Sequence, residues 1–354
     1  MLGTFKYSHL STKIRAMKGS MLSQDDYEQL LSKNSVLDAV TYLKNNTYYS
    51  KVLQELNEND VHRGEVETLL YKSIIYDALK IGRYLKGNKK SIFRYIYRRQ
   101  EIEDIKKMLR TLQMGASIDL IDRQLFFVSK YSVIDFDKLF NAKDIRSFVN
   151  GLKGTNFYGI LNPLVIDNNK IDLFSAEMAL DMYNYKKLIA GLDLVKGIDK
   201  KIAKNIIGLE ADLRNIMWIY RGKNYYNISK EILYSYHIEY SYKLSKKDLR
   251  NLINASNVEE IIDILKKTLY NDILSSDEHY WEKEFYEYIL DVHDKNMSLN
   301  PFSIAPILGY MFAKEVEIMN ITTIIEGIRY SINPNKIKKF VIGYKKEEGG
   351  TKWQ

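Results

Sequence analysis

Apolar residues recur along most of this chain at spacings of three and four, the period of a helix with one buried face. Leu70, Ile74, Ala78, Ile81 and Leu85 form one stripe, Ile102, Ile105, Leu109 and Leu112 a second, and Leu209, Leu213, Ile216 and Tyr220 a third. Strict alternation of the kind that makes strands, with hairpin-turning dipeptides, is nearly absent. Helix breakers are sparse too, with four prolines in 354 residues and none before Pro163. The pattern predicts an all-α fold.

The same pattern is stated three times. A short amphipathic stretch has apolar positions at Val36, Val40 and Leu43, again at Ile145, Val149 and Leu152, and again at Val258, Ile262 and Leu265. Each is followed by a lysine (Lys44, Lys153, Lys266) and then by a Thr and a Tyr: Thr47 and Tyr49, Thr155 and Tyr158, Thr268 and Tyr270. The spacing between them shifts by one residue among the copies. Capping-type residues precede the stretch, such as Ser256 with Glu259 three residues on. A second signature closes each copy: an acidic residue, two positions, Asn or Asp, then Ile. It reads Glu101 to Ile105, Asp212 to Ile216 and Glu317 to Ile321. Both signatures recur at about 110 residues, too long for a solenoid unit and suited to a small helical subdomain. The expected division is residues 1–115, 116–225 and 226–344, with a flexible tail at 345–354. Three units with one shared apolar face can close around a pseudo-threefold axis as a funnel with a central hollow, although an open chain of three would show the same repeat.

Positions i and i+3 share a helix face, so Glu101 with Asp104, Asp212 with Asn215 and Glu317 with Asn320 each make a polar patch on an apolar helix. Two readings stay open. These groups satisfy buried backbone where subdomains meet, or they line the hollow and bind a partner together with Arg110, Arg221, Arg98 and Arg99.

Charge changes this picture little. The net charge of +8 comes from 53 basic and 45 acidic residues without an arginine-rich block, the pattern of solvated helix faces rather than of a nucleic-acid groove. No cysteine is present, so neither disulfides nor thiolate metal sites support the fold. The start, Met1 to Tyr7, carries no signal-like apolar run. The longest chargeless stretch, Asn296 to Ala313, contains Asn300, Pro301 and Pro306 and fits a bilayer span poorly. The chain reads as soluble, which leaves a position beside a membrane open.

Catalytic patterns are missing. The five histidines form no His-Glu-x-x-His. His293-Asp294 has the look of a metal-hydrolase doublet, but no Asp follows it, and His293 reads as a surface or helix-end residue. Gly82 to Ser91 is loosely like a phosphate loop, with Asn88 where lysine is required, and reads as a turn between helices. No catalytic residue, metal ligand, cofactor or directly bound nucleotide is expected.

With the stretch Ile14 to Ser23, the Leu43-Lys44 to Tyr49 element and its copies, and the ending from Glu315 to Ile337, the chain resembles the C subunits of V/A-type rotary ATPases, counterparts of the eukaryotic d subunit, over residues 5 to 344. The resemblance implies a non-catalytic rotor adaptor. Its funnel of three subdomains would cap the membrane proteolipid ring on the cytoplasmic face, receive the central stalk in its hollow and transmit torque for ion transport. Contact with the membrane would be only through the ring, and no nucleic acid would be bound. The loops Phe157-Tyr158-Gly159 and Asn300-Pro301-Phe302 are candidates for touching the ring. Departures from strict equivalence are Lys106 and Lys107 in the first copy, and Glu326 where the others have Arg110 and Arg221. The alternatives are an unrelated helical-repeat scaffold and, more distantly, an RNA-binding protein.

Overall fold

The computed structural model describes residues 2–54, 56, 63–85, 90–118, 132–273 and 277–344. The tail at 345–354 and part of the turn expected at Gly82 to Ser91 lie outside the described residues. Within them the chain is all-α; the one extended pairing is an isolated bridge between Val165 and Ile171.

In chain order the helices are α1 (Leu2–Lys18), α2 (Gln24–Leu31), α3 (Val36–Asn46), α4 (Ser50–Leu53), α5 (Arg63–Gly82), α6 (Lys90–Gln113), α7 (Phe136–Phe140), α8 (Ile145–Gly151) and α9 (Asn156–Leu161). They continue as α10 (Leu173–Leu192), α11 (Gly197–Asn224), α12 (Lys230–Tyr236), α13 (Lys246–Asn254), α14 (Val258–Leu265), α15 (Trp281–Leu299), α16 (Ala305–Arg329) and α17 (Pro334–Lys338). A capped short helix, a second capped short helix and then two long helices recur three times: α2, α3, α5, α6; α7, α8, α10, α11; α13, α14, α15, α16.

Local chemistry sets these boundaries. Ser23, Asp135 and Ser245 cap the first short helix of each set, and their side chains accept the N–H three residues on. Ser35, Asp144 and Asn257 do the same for the second. The cap of α14 is therefore Asn257, not Ser256; the Ser256 N–H instead donates to Glu260. Each second helix ends where a threonine hydroxyl donates to a leucine carbonyl: Thr47 to Leu43, Thr155 to Leu152 and Thr268 to Leu265. The long closing helices α6, α11 and α16 each stop at a residue in the left-handed region, Gly115, Asn227 and Ser331. There the following N–H turns back to Thr111, Gly222 and Gly327 respectively.

The chain forms two compact units. Unit 1 comprises Met1–Ile74, Ile273–Leu299 and Pro306–Gln354; unit 2 comprises Ile75–Asp272 and Asn300–Ala305. In unit 1, Leu30, Leu43, Tyr49, Trp281, Ile318, Ile321 and Ile324 are buried. His293 is buried as well, contrary to the surface position its sequence suggested. It stacks on Phe312 at 4.8 Å between ring centroids. Burial, then the nearby Lys18 charge, lowers its imidazole to about 3. In unit 2, the α6 stripe of Ile102, Ile105, Leu109 and Leu112 joins Phe136, Leu139, Phe148, Val149 and Phe157 in one apolar core. Truncating such a side chain, for example Leu109→Ala, typically costs about 2–5 kcal/mol.

Candidate functional site

Asp212 and Asn215 lie side by side on α11 in unit 2, and both are buried. The Asp212 carboxylate accepts the N–H groups of Tyr242, Lys243 (2.7 Å) and Leu244 (2.9 Å), which lead into the Ser245 cap of α13. It also accepts the hydroxyl of Tyr270 at 2.5 Å. Asn215 grips a backbone with both ends of its amide: Nδ2 donates to the Ile238 carbonyl and Oδ1 accepts the Ile238 N–H, each at 2.8 Å. Burial pushes the Asp212 carboxyl up, although the Tyr270 hydroxyl and the backbone N–H groups pull the other way.

Glu317 and Asn320 repeat this arrangement on α16 in unit 1. Glu317 accepts the N–H of Leu22 (2.6 Å), which leads into the Ser23 cap of α2, and the Tyr49 hydroxyl at 2.7 Å. Asn320 grips Ile342, donating at 2.9 Å and accepting at 2.8 Å. One element is new. Lys314, fully buried, pairs with Glu317 at 2.7 Å and lies 4.0 Å from the Tyr49 ring centre. Burial raises the Tyr49 phenol, and the Glu317 charge adds to that.

Glu101 and Asp104 on α6 complete the set in unit 2, again buried. Burial raises the Glu101 carboxyl against the pull of the Ser132 hydroxyl and the Arg98 charge. Asp104 accepts from Gln100 at 3.1 Å. The aromatic residue two positions after the threonine, Tyr49 and Tyr270 in the other copies, is Phe157 here. Tyr158, which the repeat in the sequence pairs with them, stands one residue further on. Phe157 has no hydroxyl to donate, and it packs edge-on to Tyr183 at 5.6 Å. It is buried and Tyr158 is half-buried, whereas Phe302, on the other loop singled out for ring contact, is exposed.

The arginines occupy a different environment. Arg98 lies half-buried over the Tyr183 ring at 5.8 Å, and Arg99 is half-buried beside it. Arg110 forms a two-pronged pair with Glu177 on α10, at 2.6 and 2.8 Å. Buried Lys106 bridges Asp181 (2.5 Å) and Glu103 (3.1 Å). Arg221 is exposed in the last turn of α11.

Each closing helix thus receives a segment of another copy. α6 meets Ser132 and Phe157 of the second, α11 meets Leu244 and Tyr270 of the third, and α16 meets Leu22 and Tyr49 of the first. The Asp212 and Glu317 carboxylates point into their own chain and act as clamps on backbone and hydroxyl groups, whereas Glu101 takes a hydroxyl and Asp104 an amide of its own helix. Sequence reasoning missed Lys314 and the segments that the carboxylates hold. A signal for the latter was present in Leu22-Ser23-x-x-Asp26 and Leu244-Ser245-x-x-Asp248, both of which become capping boxes.

The sequence profile of the ATP synthase (C/AC39) subunits matches residues 10–340. The chain is similar to the C subunit of the A-type ATP synthase of Methanocaldococcus jannaschii, with 24% identity over 95% of this chain and 86% of that protein. It is 26% identical to the corresponding A-type ATP synthase protein of Methanobrevibacter smithii over 97% and 89%. For that of Methanosarcina acetivorans the identity is 24% over 95% and 92%.

Proposed function

The chain belongs to the ATP synthase (C/AC39) subunit family, and from that premise we propose that it is the rotor adaptor that joins the central stalk to the membrane proteolipid ring. As a family member it is an accessory part of a rotary ATPase and not itself catalytic. That sets aside the unrelated scaffold and the RNA-binding protein.

The observation that carries the adaptor reading is the clamp repeated on α11 and α16, in which the closing helix of one copy holds the segment leading into a helix cap and the tyrosine of another. A part that transmits torque must resist shear between its subdomains. Buried carboxylate and amide clamps supply directional resistance that apolar contact alone does not. In this reading the subdomains 1–115, 116–225 and 226–344 form a funnel on the cytoplasmic face of the membrane. Asp212, Asn215, Glu317, Asn320, Glu101 and Asp104 keep the walls in register. Stalk contact falls to the more exposed Arg110 and Arg221, with Arg98 and Arg99 behind them. No helix among the described residues is long and apolar enough to cross a membrane, which agrees with a peripheral position.

The test is co-purification from detergent-solubilised membranes of cells that contain the complete complex. The adaptor reading expects the chain with the proteolipid ring after the catalytic head has been stripped off. Recovery of the chain with the stripped head, and none with the ring, would reject it.

A further inference from the structure

We propose that the tip of the α10–α11 hairpin, with the adjoining Asn300–Ala305 segment, is a membrane-contact surface that seats in the headgroup layer of a bilayer carrying anionic phospholipid. This goes beyond the adaptor reading, whose only membrane contact is through the ring, and does not depend on it.

α10 ends at Leu192 and α11 begins at Gly197, which has a left-handed backbone (φ 62°). In and beside this tight turn Val195 is buried, whereas Leu194 is 50% exposed and Ile198 52%. The buried Asp199 carboxylate accepts the Ile304 N–H at 2.9 Å, which fixes the Asn300–Ala305 segment against the first turn of α11. Phe302 on that segment is 48% exposed. Three large apolar side chains are therefore held outward by a turn and a buried hydrogen bond.

The charge around them is predominantly positive. Between Met182 and Leu209 the chain has six lysines and two aspartates. One aspartate is the buried Asp199, and the other, Asp193, is paired with Lys200 at 3.0 Å. Lys196 sits in the turn, and Lys187, Lys201 and Lys204 are exposed on the two helices behind it. At a rise of about 1.5 Å per residue, Lys187 lies about 8 Å behind the end of α10 and Lys204 about 10 Å behind the start of α11.

This ordering by depth selects the partner. A bilayer grades from anionic phosphates to hydrocarbon over a similar distance, so Leu194, Ile198 and Phe302 reach the acyl boundary while the lysine collar stays among phosphates. The flat acidic surface of a protein would meet the apolar tip first and hold the lysines away from its charges.

The purified full chain is sedimented with phosphatidylcholine vesicles and with vesicles that also contain phosphatidylglycerol. Binding is expected only to the mixed vesicles, weakening as salt is raised. Lys196→Gln, Lys201→Gln and Lys204→Gln should each weaken it roughly fivefold. Leu194→Ser with Ile198→Ser should abolish it with helicity and melting temperature unchanged, and the emission of a Phe302→Trp variant should move to the blue on mixed vesicles. No binding to mixed vesicles, equal binding to both kinds, or full binding by the serine variant overturns the proposal. Since the vesicles contain no other component of the complex, these outcomes are independent of whether the chain co-purifies with the ring.

Discussion

On α11 the buried carboxylate of Asp212 meets three backbone N–H groups and a tyrosine hydroxyl, whereas on α16 Glu317 meets one backbone N–H, a tyrosine hydroxyl and the ammonium of Lys314. The residue in the Lys314 position on α11 is Leu209, which is apolar and buried. One clamp is thus neutralised by backbone dipoles converging on a helix cap, the other by a full opposite charge in the core. The difference teaches that the repeat preserves the task of holding a cap and an aromatic anchor while the means of stabilising the buried charge varies.

The largest expected effect comes from removing that charge. Lys314→Met leaves Glu317 buried beside donors too few to replace an ammonium, and unit 1 should lose about 3–5 kcal/mol. Urea unfolding followed through Trp281, with Trp218 and Trp353 replaced by Phe, measures it. Lys314→Met with Glu317→Gln should recover most of the loss, and a single-variant loss below about 1 kcal/mol would erase the distinction between the clamps.

Next in size is the hydroxyl on Asp212. Tyr270→Phe removes a hydrogen bond to a buried carboxylate and should cost about 1.5–3 kcal/mol, read through Trp218 on α11 with Trp281 and Trp353 replaced by Phe. Tyr158→Phe should stay within about 0.5 kcal/mol, because the equivalent position is Phe157.

Acid separates the units further. His293 is held neutral in the fold, with its value lowered to about 3 against about 6.5 unfolded. Its contribution is complete above pH 6.5 and disappears as pH falls toward 3, so going from 6.5 to 5 should weaken unit 1 by about 2 kcal/mol. The Asp212 and Glu101 carboxyls are raised, so their contribution is complete below the ordinary carboxylate range and is lost as pH rises through their shifted values. Acidification should therefore lower the Trp281 transition and hold or raise that of Trp218. His293→Phe should flatten the Trp281 trend, and a trend unchanged by it would refute the assignment.

The smallest effect is at Ser331, which has φ 52° where the first copy has Gly115. Ser331→Gly should stabilise unit 1 by about 0.5–1 kcal/mol in the same urea measurement; a loss instead would mean that the serine side chain contributes there.

The helices were legible because burial imposes a period. Leu70, Ile102, Ile105, Leu109, Leu209 and Ile216 are all buried as their spacing predicted. The closing pairs were legible too, because charged and amide groups interrupted apolar stripes three times at one interval. Of the two readings given to them, the clamping of backbone is visible in Asp212, Asn215, Glu317 and Asn320. Their partners were not legible, since Tyr270 is 58 residues from Asp212 and Tyr49 is 268 from Glu317. Nor was the correct aromatic residue of the second copy. Counting from Leu152 selected Tyr158, whereas the fold anchors on the hydroxyl of Thr155 and places Phe157 two residues later.

The clamp on α16 also dictates an order of events at synthesis. Leu22 and Tyr49 leave the ribosome 295 and 268 residues before Glu317. At cellular elongation rates that is a wait of roughly a quarter of a minute to a minute. Until then the faces of α2 and α3 that bury Leu30 and Leu43 have no α16 to receive the segments they carry. The segment that carries Tyr49 is thus made early and locked late, and waits far longer for its clamp than the Tyr270 segment, which follows Asp212 by only 58 residues.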